Sequence, residues 1–259
     1  MAITNLSFES KLAEKYPSQP QKIRVLTEHW VDNQVFCPNC GQLNIDKYEN
    51  NKPVADFFCS NCKEDYELKS KKGLTGTKIV NGAYRTMIQR LEESHNPNLF
   101  LLNYDLQNFQ VLNFLVIPKH FFVPDIIEKR KPLSQIAIRA GWVGCNILLR
   151  NIPETGKIFF VKNKLIEKKE TVLAEWQKTL FLREAKETKT KGWLIDIMMC
   201  LEKLGRKEFS LDEVYGFENA LRKKHPDNRH VKEKIRQQLQ FLRDKGYLEF
   251  VERGHYRLT

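Results

Sequence analysis

No uncharged apolar run in this 259-residue chain approaches the roughly 18 residues of a membrane span. The best, Phe114-Leu-Val-Ile-Pro118, is strand-sized. The opening Met1-Ala-Ile-Thr-Asn-Leu-Ser7 lacks the basic start and long apolar stretch of a secretion signal. There is no internal repeat or low-complexity tract, and His29, His95 and His120 have neither Cys/His ligand spacing nor a nucleophile partner. The expectation is a soluble, cytoplasmic protein with no membrane partner and no obligate protein partner.

Acid is in short supply. Lys and Arg total 43 against 32 Asp and Glu, a net charge of +11. Each phosphate neutralised by a cation releases condensed counterions, so this excess suits a polyanionic partner; the alternative is a merely solvated basic surface. It argues against an acidic mimic or an enzyme with a neutral surface. Hydrophobic residues at 41% and charged residues at 29% are an ordinary globular balance, and the length fits one large domain or two.

Four of the six cysteines fall in two CxxC pairs, Cys37-Pro-Asn-Cys40 and Cys59-Ser-Asn-Cys62, with 18 residues between them. That spacing is the signature of a tetrahedral zinc site with four thiolate ligands. Gly41 suits the tight turn of a zinc knuckle. Two disulfides are the alternative, but they require an oxidising compartment. Four thiolates leave no open coordination position, so the expected Zn2+ is structural. Cys145 and Cys200 sit among apolar neighbours and read as small buried hydrophobes.

Periodicity predicts a helix over Gln21–Asn33, strands from Pro53 through Phe58 and over Tyr66–Lys69, a helix over Asn81–Glu93, and strands over 99–102, 111–117, 146–149 and 157–161. Thr171–Leu182 is helical again. This alternation predicts an α/β domain with a central sheet over residues 1–183. The polar stretch Arg183–Lys191 reads as a linker. Within 184–259, helices at 193–204, 211–223 and 230–245 precede two strands, 247–251 and 255–258, around a turn at Gly254. Three helices and a hairpin make a winged helix, a variant of the DNA-binding helix-turn-helix.

Asp56 is read as ending a strand. Glu67 and Lys69 lie two apart on the next, so their side chains share a face. The turn between these strands carries Cys59 and Cys62. This layout resembles that of PD-(D/E)xK nucleases, in which two carboxylates hold Mg2+ and a lysine orients the attacking water. The resemblance implies a third metal ligand from the Leu68 carbonyl. The basic run Lys69-Ser-Lys-Lys72 would draw in a phosphate backbone, or else protects an exposed edge strand. Glu28 on the first helix is within reach of the metal site, but a surface position is the favoured reading.

Six segments carry a closer likeness: Ile23–Trp30, Cys37–Gly41, Asn50–Asp56, Glu67–Gly73, Arg139–Asn146 and Lys232–Leu239. Through them the chain is similar, over nearly its whole length, to methyladenine-dependent restriction endonucleases that cut GATC. The resemblance implies Mg2+-dependent hydrolysis of both strands of DNA carrying methylated adenine, by a PD-(D/E)xK core with an inserted four-cysteine zinc site and a C-terminal winged helix. The rival reading is a non-catalytic zinc and winged-helix reader of methylated DNA; a single-strand nickase is a third.

A paired adenine methylated on its exocyclic amine shows the major groove an apolar methyl in place of a donor, so its reader needs an apolar surface. Trp142, taken as exposed in a Gly-Trp-Val-Gly loop after Arg139, either supplies that surface or packs under the turn. On the third helix of the winged domain, Val231, Ile235, Leu239 and Leu242 form the buried stripe. That leaves Arg229, Lys232, Arg236 and Gln237 for DNA, with Arg236 and Gln237 on bases and Lys232 on phosphate. Arg253, Gly254 and His255 at the wing tip are candidates for backbone or minor-groove contact.

Overall fold

The computed structural model describes residues 3–49, 55–92, 96–185 and 187–259. Pro53 and Val54, read above as the start of a strand, lie outside the described residues, as do Asn50–Lys52, Glu93, His95 and Lys186. The chain divides into two compact units, Met1–Arg150 with Thr155–Thr179, and Asn151–Glu154 with Leu180–Thr259.

The first unit opens with α1 (Gln19–Gln34). Ser18 caps it by accepting the Gln21 N–H, and Pro20 occupies the first turn, where its missing N–H costs nothing. Among the described residues, seven strands form the main sheet: β1 (Asp46–Lys47), β2 (Phe57–Phe58), β3 (Asp65–Lys72), β5 (Asn98–Asp105), β6 (Gln110–Ile117), β9 (Ile158–Lys162) and β10 (Leu165–Ile166), in the order β1-β2-β3-β5-β6-β9-β10. Among the described residues, only β3 and β5 pair in parallel. Between them the chain forms β4 (Lys78–Ala83) and α2 (Tyr84–Glu92). Later β7 (Ile127–Lys129) and β8 (Gly144–Leu148) join β4 in a second, antiparallel sheet of order β4-β8-β7. Helix α3 (Lys169–Gln177) closes the unit.

The near-continuous apolar runs of β5 and β6 are those of strands covered on both faces. Their core is aromatic: Tyr66 stacks on Phe100 at 4.4 Å, Phe100 meets Phe114 at 5.0 Å, and Trp30 of α1 stands edge-on to Phe114 at 5.2 Å. Along β3 the pleat puts Tyr66 into this core and leaves Glu67 and Lys69 together on the opposite face.

Two expectations for this unit need correction. Residues 81–83 are not helical: they end β4, where Val80 pairs with Asn146 and the register shifts between Asn81 and Ala83. A ladder with a strand more than 60 residues away overrides the local helical pattern. Thr171–Leu182 is also not one helix, because α3 stops at Gln177 and a separate 3-10 turn follows at Leu180–Arg183.

The second unit consists of α4 (Thr188–Leu204), β11 (Glu208–Ser210), α5 (Leu211–Tyr215), α6 (Glu218–Lys224), α7 (Val231–Asp244), β12 (Leu248–Glu252) and β13 (His255–Leu258), with sheet order β11-β13-β12. Helix α4 takes in the last residues of the expected linker, and Gly205 ends it in the left-handed conformation at φ 66°. Ser210 and Glu213 form a capping box at the start of α5. The expected single helix over 211–223 is broken at Gly216, where an added Cβ would lie 3.0 Å from the Glu213 carbonyl. Val231, Ile235, Leu239 and Leu242 are buried along α7 as the pattern predicts, joined by Gln238. Trp193 and Cys200 are buried on α4. Among the described residues, no helix is long and apolar enough to cross a membrane.

Candidate nuclease site and zinc centre

The four sulfurs of Cys37, Cys40, Cys59 and Cys62 all lie within 4.8 Å of one another. Cys37 and Cys62 are 3.5 Å apart, as are Cys40 and Cys59, far beyond the roughly 2.05 Å of a disulfide. A tetrahedron with Zn–S bonds near 2.3 Å has S···S edges of roughly 3.8 Å, so the quartet fits zinc. Both turns have the same backbone: Gly41 N–H donates to the Cys37 carbonyl and Lys63 N–H to the Cys59 carbonyl, each at 2.9 Å. Gly41 takes the φ of +75° that the first turn requires, whereas the second places Lys63 at +61°. Burial pushes the Cys37 and Cys59 thiols up, a cost that binding a cation offsets.

Other elements hold the cluster. Trp176 of α3, fully buried, donates from Nε1 to Asn39 Oδ1 at 2.9 Å, and Lys169 Nζ donates to the Gly41 carbonyl at 2.7 Å. Tyr66 of β3 sets its hydroxyl 3.2 Å from Cys37 Sγ. Residue 66 therefore links the cysteine cluster to the strand bearing Glu67 and Lys69.

That strand faces a cavity of about 730 Å³ lined by Asp56, Glu67, Leu68 and Lys69, by Arg24 and Glu28 of α1, by Asn81–Ala83 of β4 and by Arg90 of α2. Asp56 precedes β2 and does not end a strand. Its N–H donates to the Tyr66 carbonyl at 2.9 Å, and its Oδ2 accepts the Leu68 N–H at 2.7 Å. Since Phe57 pairs with Tyr66, the knuckle hairpin brings Asp56 alongside Glu67. Lys69 Nζ lies 2.6 Å from Glu67 Oε1. Burial pushes the Asp56 carboxyl above the usual carboxylate value; the Leu68 N–H opposes this, and the Glu67 and Glu28 charges add to it. Among the described residues, no Lys or Arg forms an ion pair with Asp56.

Of the two readings of Glu28, the favoured surface position fails and the place beside the cavity holds. It is buried, with Arg24 Nε 2.6 Å from Oε1 and Lys47 Nζ 2.8 Å from Oε2. It thus becomes a third carboxylate of the cavity. The only trace of this in the sequence is the Arg24–Glu28 spacing of four, which equally describes a solvated helix pair.

Two regions recognise themselves in family comparisons. Residues 4–185 match the model of the Dam-replacing DpnI family, and residues 189–258 match its Dam-replacing helix-turn-helix domain. The chain belongs to the DpnI family. It is thereby a methylation-dependent restriction endonuclease with a DNA-binding C-terminal unit.

The DNA-contact candidates of this DpnI-family chain are spread over both units. Arg139 is exposed on the β7–β8 connection, while Trp142, open between exposure and packing under the turn, is half-buried. The Trp142 ring leans over Gly144, where an added Cβ would lie 2.7 Å from it. On the second unit Arg229, Lys232, Arg236 and Gln237 are all exposed. Lys232 and Arg236 stand over the Tyr215 ring at 5.2 and 5.6 Å, and Lys232 lies 3.7 Å from Glu218. Gln237 Oε1 accepts from Lys234 Nζ at 2.7 Å.

Proposed function

We propose that this chain hydrolyses both strands of DNA at GATC sites carrying methylated adenine, with Mg2+ at the cavity of the first unit. The reading rests on one observation: Asp56, Glu67 and Lys69 line a single cavity, on the β2–β3 hairpin and the segment leading into it. The donors suit a hard cation. One oxygen of each carboxylate is engaged, by the Leu68 N–H or by Lys69, which leaves another on each side chain for an ion that prefers oxygen. The Leu68 carbonyl is a further candidate ligand. Bound there, Mg2+ would lower the pKa of a coordinated water and neutralise charge building on the phosphate.

The chain's own groups then have distinct tasks. Lys69 orients the water and stabilises the pentavalent transition state. The new bond joins the water oxygen to phosphorus, and the bond from phosphorus to the leaving sugar oxygen breaks; that oxygen ends with the proton. Asp56 and Glu67 hold the ion, and Glu28, tied to Arg24 and Lys47, fixes α1 beside them. Cys37, Cys40, Cys59 and Cys62 hold structural Zn2+, which keeps the hairpin carrying Asp56 folded.

In this reading residues 1–183 cut and residues 184–259 contribute a second DNA contact through Arg229, Lys232, Arg236 and Gln237. Arg139 and Trp142 contact DNA from the cutting unit. Lys69→Ala and Asp56→Ala are the tests. With Mg2+ and matched plasmids with and without GATC adenine methylation, each variant should lose at least about a hundredfold in cleavage rate while binding methylated duplex nearly as the wild type does. Cleavage by either variant near the wild-type rate refutes the assignment. Absence of cutting by the wild type with any divalent metal favours a pure reader of methylated DNA.

A further inference from the structure

Among the described residues, Ile136 and Ile138 are the large apolar side chains most open to solvent, at 96% and 106% of full exposure. Isolated exposed apolar residues are ordinary. These two differ in where they sit. They occupy the connection between β7 and β8, and that connection is fastened: Leu133 N–H donates to the Trp142 carbonyl at 2.9 Å and Gly141 N–H returns to the Leu133 carbonyl at 3.1 Å. Gly141 makes this closure with φ of +77°, and the Trp142 ring packs over Gly144 at the base. The two isoleucines are thus presented to water by a loop tied shut beneath them.

The surroundings choose a partner. From Lys129 to Trp142 the chain carries Lys129, Arg130, Lys131 and Arg139 and no acid. An apolar tip among cations suits a polyanion with apolar groups on display. The base of the loop also adjoins the cavity. Tyr84 N–H donates to the Val143 carbonyl at 3.0 Å, Gly144 pairs with Ala83, and Cys145 Sγ donates to the Gly82 carbonyl at 3.4 Å, all at the β4 rim of the Asp56 and Glu67 pocket. The loop thus rises from the strands that rim the pocket in which a phosphodiester would sit.

We propose that Ile136 and Ile138 form an apolar contact surface for the methyl groups of methylated adenine, with Arg130, Lys131 and Arg139 on the flanking phosphates. The inference rests on the reading of the cavity as a nuclease site. Major-groove edges are read by hydrogen bonds and by apolar contact, and a methylated adenine loses a donor there and gains a methyl. Burying one methyl carbon is worth about fourfold in preference, and burying both methyls of a palindrome about fifteenfold. Serine in place of either isoleucine removes the apolar partner from a side chain that supports nothing in the fold.

The test is single-turnover cleavage by the full chain, with Mg2+, of duplexes carrying GATC methylated on both strands, one strand or neither. The wild type, I136S/I138S and I136L/I138L are compared, with thermal melting run on each. The serine pair should melt as the wild type does, while its preference for doubly methylated over unmethylated duplex falls about fifteenfold and its preference for one methyl about fourfold. The leucine pair, which keeps the apolar area, should keep the wild-type ratio. A serine pair with an unchanged ratio, or with equal losses on all three duplexes, overturns the inference while leaving the nuclease reading intact. A wild type that cuts none of the duplexes overturns both.

Discussion

Stripping metal from the cysteine quartet should cost the first unit several kcal/mol and disable its cavity. The structure sets a lower bound. A zinc ion joining Cys37 to Cys62 closes a loop spanning 25 residue positions. By the chain-entropy relation for a cross-link, such a closure restrains the unfolded chain by roughly 3–4 kcal/mol. For a unit of this size each kcal/mol moves Tm by about 2–4 °C, so the expected fall is roughly 7–14 °C before any local loss of packing is counted. The packing at stake is specific: Trp176 on Asn39, Lys169 on the Gly41 carbonyl and Tyr66 on Cys37 all depend on the knuckles keeping their shape. The assay is thermal unfolding followed by circular dichroism, before and after a strong chelator, with released zinc counted by a chromogenic indicator. Adding zinc back should restore both Tm and cleavage. Protein purified without zinc, or Tm unchanged to within about 2 °C after complete removal, would refute the reasoning.

Glu28→Gln removes a charge that sits beside Asp56, so the Mg2+ concentration for half-maximal cleavage should rise about tenfold, as read by a metal titration. Arg236→Ala should weaken binding to a methylated GATC duplex by roughly 1–3 kcal/mol in fluorescence anisotropy at fixed salt, whereas Lys232→Ala should lower the salt slope by about one. Leu239→Ala opens a cavity at a side chain with 0% exposure, and the unfolding transition of residues 180–259 in urea should lose about 2–5 kcal/mol.

Periodicity and spacing make some features legible from the sequence and leave others hidden. The two CxxC pairs and the Glu67–Lys69 alternation are local patterns, and the cysteine cluster and the shared strand face follow from them. The α7 stripe is likewise written in the order of its residues. β4 escaped because Ala83, Met87 and Leu91 continue a helical stripe back into residues that in fact pair with β8. Glu28 could not be settled from the sequence because one of its partners, Lys47, lies on a strand of two residues with no period of its own. Asp56 was found, but its place just before β2 rests on two hydrogen bonds to β3, at Tyr66 and Leu68, that no local pattern encodes. Ile136 and Ile138 carry no sequence signal at all: only the folded loop shows that they face water.

Residues far apart along the chain meet at the first knuckle. Its turn, Cys37 to Gly41, is clasped by Lys169 and Trp176, more than 120 positions further on. During synthesis the first knuckle therefore waits for its clasp until α3 has left the exit tunnel, so the hairpin beside Asp56 gains this support only after the chain has been made beyond Trp176.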